Sequence, residues 1–255
     1  MAGGTGSRLH PLTIGVNKHL LPIYNKPLIY YPLTTLMLAG IREILLISSP
    51  SETDTFRRLL GDGNQFGIEM SYATQAEPKG IAEGILVAQD FTEGHNIGFI
   101  LGDNVFHGVG LGRQLSQYRN ILGAQIFAYH VKDPRSYGVV EIGADDKVIS
   151  LEEKPKEPKS QFAITGLYFY DERAASFARQ LKPSARGELE ITDLNQMYLE
   201  LNELNVAILS RGTAWLDTGT FELLYDASSY IRLVEERQGE KIGDPTDAAM
   251  SQGWI

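Results

Sequence analysis

No cysteine occurs in the 255 residues. That excludes disulfides, thiolate zinc sites and a cysteine nucleophile, and it fits a reducing compartment. Basic residues are outnumbered, 23 Lys and Arg against 32 Asp and Glu, for a formal net charge of -9 at pH 7. Such a chain lacks the extended basic surface that broad nucleic-acid or anionic-membrane binding needs, so neither is expected as a partner and any anion site must be local. Apolar runs of membrane-spanning length are missing too, and no signal-peptide pattern precedes the first glycines. The expected location is the cytoplasm. With 43% hydrophobic and 22% charged residues, the remaining composition is that of an ordinary globular α/β protein.

The two commonest phosphate motifs are also absent. No Gly-Lys-Ser/Thr makes a P-loop, and Leu9 stands where a dinucleotide fingerprint would need glycine. The chain opens instead with Ala2-Gly3-Gly4-Thr5-Gly6-Ser7-Arg8-Leu9, then Pro11-Leu12-Thr13, Lys18 and Leu20-Leu21-Pro22. Glycines at Gly3, Gly4 and Gly6 let the backbone take positive φ and turn successive N–H groups toward an anion. Arg8 adds a planar charged fork and Lys18 a point-like cation, a pairing that suits polyphosphate. The glycines alone read equally well as a flexible turn. It is the two cations and Leu-Leu-Pro that favour a phosphate site.

Downstream, Pro27 and Gly40 bracket a predicted helix with Leu28, Tyr31, Leu33, Leu36 and Met37 on its buried face. Ile44-Leu45-Leu46-Ile47, stopped by Ser48-Ser49-Pro50, reads as a strand covered on both faces. A helix to about residue 60, a strand near 68–72, a helix over 80–91 and a strand over 97–101 continue a βαβ alternation. This predicts an α/β, Rossmann-like, mostly parallel sheet with helices on both faces, whose ligands gather beyond the strand ends, where the glycine loop and Asp103 fall. After the strand 125–129 the segments become short and β-rich, separated by turn residues. Two helices, a strand over 206–210, the segment Ala214-Trp215-Leu216-Asp217-Thr218-Gly219-Thr220 and a helix over 221–237 complete the chain. Without a linker or repeat, the expectation is one domain over 1–255, with halves dividing near residue 130 and a C-terminal segment over 238–255.

The glycine loop with Arg8, Lys18 and Leu20-Leu21-Pro22 resembles the signature of the sugar-nucleotide pyrophosphorylases. Lys26-Pro27-Leu28-Ile29-Tyr30-Tyr31-Pro32-Leu33, Leu36-Met37-Leu38-Ala39-Gly40-Ile41-Arg42, Leu59-Leu60-Gly61-Asp62-Gly63 and Leu101-Gly102-Asp103-Asn104 extend the likeness, and from Gly3 to Ile255 the chain resembles the glucose-1-phosphate thymidylyltransferase family. The resemblance implies a nucleotidyltransferase with a nucleotide-binding half (about 1–130) and a smaller, β-rich sugar-binding half (about 131–237). It implies that Gly3, Gly4, Thr5, Gly6, Ser7, Arg8, Gln75, Gly80 and Asp103 bind nucleotide. A glutamine amide such as that of Gln75 can pair with a carbonyl and an N–H of a pyrimidine edge.

On the sugar side it implies Asn104, Tyr137, Gly138, Glu153, Lys154, Ile164, Tyr168 and Arg186, with Lys154 on the sugar phosphate and Glu153 on sugar hydroxyls. Composition alone would make Lys154 a solvated residue in a charge run. Asp103 and Asp217 each leave an apolar element for a loop, where an Asp is ordinarily a turn or cap residue. Mg²⁺ in nucleotide chemistry is commonly held by one or two carboxylates plus phosphate oxygens, and the resemblance puts the metal ligands on these two positions. Glu188 and Glu190 read equally as pocket residues or as acids at the start of a helix.

Arg8, Lys18 and Lys154 are the expected catalytic cations, for in-line attack by glucose 1-phosphate on the α-phosphorus of dTTP. The product pair would be dTDP-glucose and pyrophosphate, and the family's members are homo-oligomers that serve dTDP-rhamnose and related deoxysugar synthesis. Against this stand a UTP-using relative, a non-catalytic sugar-nucleotide binder and a metal-dependent glycosyltransferase; Asp103-Asn104-Val105 in place of Asp-x-Asp argues against the last. His19 replaces the family's usual Gln and Phe221 its usual His. The first of these lies near the expected base and phosphate site, so restoring Gln is expected to sharpen the preference for dTTP. Met1 comes directly before Ala2, where the family has a short apolar strand, and a C-terminal helical segment has no counterpart. Both lead to the expectation of a shortened chain with an untethered phosphate loop, low stability, little turnover and weakened subunit association.

Overall fold

The computed structural model describes residues 1–4 and 6–255; Thr5, named above for the nucleotide, lies outside the described residues. In chain order the strands are β1 (Pro22–Ile23), β2 (Lys26–Pro27), β3 (Glu43–Ser48), β4 (Glu69–Thr74), β5 (Ile97–Ile100), β6 (Asn104–His107) and β7 (Ala124–His130). They continue with β8 (Gly138–Ile142), β9 (Val148–Glu153), β10 (Phe162–Tyr170), β11 (Leu204–Ile208) and β12 (Ala214–Asp217). Two compact units result, one of residues 1–77, 100–117 and 212–255, the other of 78–99 and 118–211. Where the sequence suggests a single division near residue 130, the chain passes between the units four times.

In the first unit β3 and β4 pair in parallel from Glu43↔Glu69 to Ser48↔Thr74. Ala2 forms a parallel bridge to Ser48 and donates its N–H to Ile47 O at 2.7 Å. On the other side Met1 N donates to Ile100 O at 2.9 Å, and Gly102 N donates to Met1 O at 2.7 Å. Met1 and Ala2 therefore act as a short strand between β3 and residues 100–102, and the glycine loop departs from a tethered backbone. This corrects the expected loose end: two residues suffice to reach both neighbours.

The helix predicted from Pro27 begins later, at Tyr30, and runs to Leu38. Leu28 N donates to Leu21 O and Ile29 N to His19 O, which folds Pro27 into the β1–β2 hairpin instead. The other end is as expected: Gly40, at φ 84°, closes the helix with bonds from Gly40 N to Met37 O and Ile41 N to Leu36 O. A core of Ile23, Leu28, Tyr31, Val105, Ala227, Ile231 and Ile242 joins the hairpin and β6 to the helix Phe221–Gln238. That helix starts just past Asp217, with Thr220 as its N-cap.

A buried ion pair fixes this helix to the hairpin. Lys26 Nζ meets Glu235 Oε1 at 2.6 Å with both side chains under 10% exposed (8% and 9%), and Ile242 N and Asn25 Nδ2 also donate to Glu235. Burial alone would raise the Glu235 carboxyl, but these three donors hold it below its ordinary value. Glu235→Ala is expected to lower unfolding stability by about 3 kcal/mol, since it strands a buried cation. A depressed carboxyl contributes fully above its unfolded pKa, so the wild-type advantage in urea midpoint should be complete at neutral pH and shrink as pH falls below about 4.

The second unit is a six-stranded sheet in the order β11-β7-β10-β8-β9, with β5 also paired to β10. β11 and β7 pair in parallel; β7 with β10, β10 with β8 and β8 with β9 are antiparallel. The result is the expected α/β, Rossmann-like fold, its strands pairing in parallel at β3–β4 and β11–β7 and antiparallel at β7–β10, β10–β8, β8–β9 and β6–β12. Tyr168, Tyr170 and Tyr198 stack in its core. The helix Ile191–Glu200 buries Ile191, Thr192, Leu194, Asn195 and Tyr198. Among the described residues, no helix is long and apolar enough to cross a membrane.

Candidate active site

The glycine loop has the backbone its composition suggests. Gly4 sits at φ 97° and Gly6 at φ 59°, and Thr13 Oγ1 donates to Gly6 O at 2.7 Å. Buried Leu9 anchors the following turn while Ser7 and Arg8 stay exposed. A Cβ on Gly3 would stand 3.0 Å from Gln75 Oε1, which places the buried amide of Gln75 directly under the loop.

Asp103 lies between β5 and β6, and Asp217 ends β12, the antiparallel partner of β6; Asp217 faces Asn104 across that ladder. Lys18 Nζ sits 2.6 Å from Asp103 Oδ2, Asn104 Nδ2 donates to Asp103 Oδ1 at 2.8 Å, and Thr218 Oγ1 donates to the Asp103 carbonyl at 3.0 Å. Burial works against the Asp103 charge, but Lys18, His19 and the Asn104 amide hold its carboxyl down to about 2. Asp217 is pushed the other way, by burial and then by the charge of Asp103, with Lys18 and Arg8 opposing. A Cβ on Gly219 would stand 3.0 Å from Asp217 Oδ1 and 3.6 Å from Arg8 Nη1, which places the Asp217 carboxylate and the Arg8 guanidinium on either side of this turn.

Two carboxylates that repel each other, beside two cations and an open phosphate loop, fit a divalent cation completed by phosphate oxygens. They do not make a closed protein site: no group of three or more His, Cys, Asp or Glu able to hold a metal occurs among the described residues.

His19, expected near the base, is buried against Gly102, beside Asp103. Asn17 Oδ1 accepts from its backbone N–H and meets its Nδ1, both at 2.9 Å, and a Cβ on Gly102 would stand 2.7 Å from its Cδ2. Burial lowers its pKa to about 4, so the ring is neutral at pH 7. The position is one of packing, and His19→Gln is expected to leave the ratio of kcat/KM for dTTP and UTP within about twofold of wild type, contrary to the sharpening the sequence suggests; a larger change would restore the base-contacting reading. Asn104, assigned to the sugar by the resemblance, lies beside Asp103. It is 4% exposed and its amide spans Asp103 and Trp215 Nε1, the latter at 2.6 Å.

The remaining sugar-side residues collect in the second unit around Glu153. Its carboxylate meets Lys154 Nζ at 3.2 Å, Arg186 Nη2 at 3.3 Å and Thr192 Oγ1 at 2.5 Å. Gly138 lies opposite Glu153 in the β8–β9 ladder, and a Cβ there would meet Thr192 Oγ1 at 3.3 Å and Ile164 Cδ1 at 3.5 Å. Lys154 takes φ 44° while its N–H donates to Tyr137 O, turning its side chain out of the strand. Tyr168, also assigned to this pocket, is buried on Tyr170.

Glu190 resolves in favour of the pocket's framework. It is 6% exposed, receives Arg186 Nη2 at 2.9 Å on Oε1 and 2.8 Å on Oε2 as well as Ser184 Oγ at 2.7 Å, and makes no cap bond to the helix it precedes. Gly80 serves the backbone as well as any base: it sits at φ 109° against the Leu189 main chain, and Leu189 N donates to Lys79 O at 2.7 Å. Thr192 and Trp215, absent from the residues singled out by sequence, hold two of those that were.

Parallel strands beside a glycine loop, with two carboxylates beside two cations, fit the chemistry of a nucleotidyltransferase. The family model described as nucleotidyl transferase matches residues 1–233. A glucose-1-phosphate thymidylyltransferase of Mycolicibacterium smegmatis is 56% identical over 255 residues, covering 100% of this chain and 88% of the relative. One from Neisseria meningitidis serogroup A is 52% identical, covering 100% and 89%. A solved structure from Bacillus anthracis, described as a glucose-1-phosphate thymidylyltransferase in complex with a sucrose, superposes with a TM-score of 0.84 at 40% identity over 91% of this chain and 93% of that one. The chain belongs to the nucleotidyl transferase family, and within it to the glucose-1-phosphate thymidylyltransferases.

Proposed function

We propose that this enzyme makes dTDP-glucose and pyrophosphate from dTTP and glucose 1-phosphate, and that Lys18, Asp103 and Asp217 form the charged centre that handles the triphosphate. The observation that carries this is the Lys18–Asp103 pair at 2.6 Å in the same unit as the glycine loop and Asp217. A phosphate oxygen of the sugar attacks the α-phosphorus; that P–O bond forms as the bond to the β-phosphate oxygen breaks, and pyrophosphate leaves. The nucleophile is already an anion, so no base and no covalent enzyme intermediate are needed. What the protein supplies is position and charge.

The glycine-loop amides and Arg8 bind the β- and γ-phosphates, and Gln75, beneath the loop, reads a pyrimidine edge. Asp103 and Asp217 would hold Mg²⁺, which when bound neutralises phosphate charge and favours departure of pyrophosphate. Lys18, held beside Asp103, contributes its positive charge to the same phosphates. Lys154 binds the phosphate of the sugar. Glu153, held by Thr192 and Arg186, accepts from sugar hydroxyls.

Pyrophosphate release measured with each triphosphate plus glucose 1-phosphate tests the proposal; the expected result is a preference for dTTP, and equal rates without the sugar phosphate would overturn it. Arg8 is exposed and makes no hydrogen bond or ion pair among the described residues, so it is available for a bidentate phosphate contact. Arg8→Lys is therefore expected to lower kcat/KM by about tenfold or more, since a point charge does not reproduce the fork. Wild-type kinetics for that variant would remove Arg8 from the site.

A further inference from the structure

The acids around Arg186 outnumber it. Glu190 receives its Nε at 3.2 Å and its Nη2 at 2.9 and 2.8 Å, while Glu153 Oε1 stands 3.3 Å and Glu188 Oε2 3.4 Å from the same Nη2. Three carboxylates thus compete for one guanidinium, and the shortest, two-pronged contact goes to Glu190, the most deeply buried of the three. Ser184 Oγ donates to Glu190 Oε1 at 2.7 Å and Ser184 N to Glu188 O at 2.8 Å, so the turn between them folds Glu190 back onto the arginine four residues before it. Glu153 is divided differently. Its Oε2 accepts from Thr192 Oγ1 at 2.5 Å, whereas its Oε1 faces Lys154 Nζ at 3.2 Å and Arg186 at 3.3 Å. Both of the latter are long for charge-assisted bonds, which run about 2.7–2.9 Å, so Oε1 is the oxygen left for an incoming hydroxyl.

We infer that Glu190 is a positioning residue that draws Arg186 off Glu153 and so keeps Glu153 Oε1 open to a hydroxyl of the sugar. This rests on the reading that Glu153 accepts from sugar hydroxyls. A glutamine at position 190 keeps the size of the side chain and an acceptor for Ser184, but it carries no charge to hold the guanidinium. Two carboxylates then remain for Arg186. Glu188 is the more exposed and already the more distant, and a solvated acid is the weaker competitor, so the guanidinium closes on Glu153. That closed pair has to be broken each time a sugar binds.

The test is steady-state kinetics on the full chain, with KM for glucose 1-phosphate read at saturating dTTP and Mg²⁺. Glu190→Gln is expected to raise that KM about tenfold, the weight of one hydrogen bond to a charged group, while kcat and KM for dTTP stay within about threefold of wild type. Arg186→Ala removes the competing cation, and on that background Glu190→Gln should leave KM within about twofold, because Glu190 acts only through the guanidinium. An unchanged KM in Glu190→Gln, a loss shared equally by both substrates, or a tenfold loss that persists without Arg186 would overturn the inference. Should Glu190→Gln fail to fold, Glu190→Asp keeps the charge but draws it back by one methylene, and the same rise in KM, absent on the Arg186→Ala background, is expected of it. Glu153→Gln separates the two levels: an unchanged KM for glucose 1-phosphate there overturns the sugar-binding reading of Glu153, whereas a loss there with none in Glu190→Gln overturns only the role of Glu190.

Discussion

Asp103→Asn and Asp217→Asn are each expected to lower kcat by three or more orders of magnitude, the equivalent of roughly 4 kcal/mol of transition-state stabilisation. Three features of the site lead there. Asp103 is held ionised by Lys18, so it presents a full negative charge at neutral pH. Asp217 feels that charge, which is the condition under which a dication is drawn in most strongly. Each Asn keeps the size of the side chain it replaces but cannot carry charge. Thermal midpoints should rise slightly in Asp217→Asn, whose carboxyl is raised by burial and by Asp103, and fall in Asp103→Asn, which leaves the buried Lys18 without its partner. Steady-state kinetics at saturating Mg²⁺ with parallel melting curves checks both halves, and near-normal turnover in either variant would exclude that residue as a metal ligand.

The second large effect is on stability. Gly80→Ala is expected to cost about 2–5 kcal/mol, combining a residue forced into positive φ with overpacking against a neighbouring backbone. A Cβ on Gly80 would lie 2.5 Å from Leu189 N and nearer still to Leu189 O, both main-chain atoms that cannot rotate aside. The same contact sets the start of the helix Ile81–Val87, through Ala82 N donating to Leu189 O at 3.1 Å. Urea midpoints are the measurement. An unchanged midpoint would mean that the 79–82 turn moves away from Leu189 at no cost, leaving Gly80 with a ligand-facing role alone.

Much of this site is legible in the sequence because its cues are local. Arg8, Lys18 and the glycines fall within one short stretch, Asp103 follows the apolar run 97–101 read as a strand, and Asp217 follows Trp215-Leu216, read only as a segment and found to be β12. Elements survive the same way: the apolar run 44–47 is β3, and Gly40 ends its helix. What stays hidden is contact between residues far apart in sequence. Nothing near Trp215 shows that its indole meets Asn104, and nothing near Glu153 shows Thr192 bonded to it. The unit division is hidden for the same reason, since backbone pairing across long separations leaves no periodic mark. His19 shows the converse error, where closeness to Lys18 in sequence suggests a ligand-facing side chain and the fold turns it inward.

The interleaving of the two units also bears on the order in which the protein is made. Residues 78–99 and 118–211 complete one unit before synthesis reaches residue 212, whereas the other awaits its last 44 residues, 212–255. Lys18 and Asp103 thus emerge from the ribosome long before the strand bearing Trp215 and Asp217. A nascent chain arrested near residue 211 would hold a finished sheet around Glu153 and an unfinished centre with one carboxylate. Domains fold as they emerge, at roughly 5–20 residues per second, so several seconds separate the two states. During that interval the faces of β6 and of the β1–β2 hairpin, later covered by β12 and the helix Phe221–Gln238, stay uncovered.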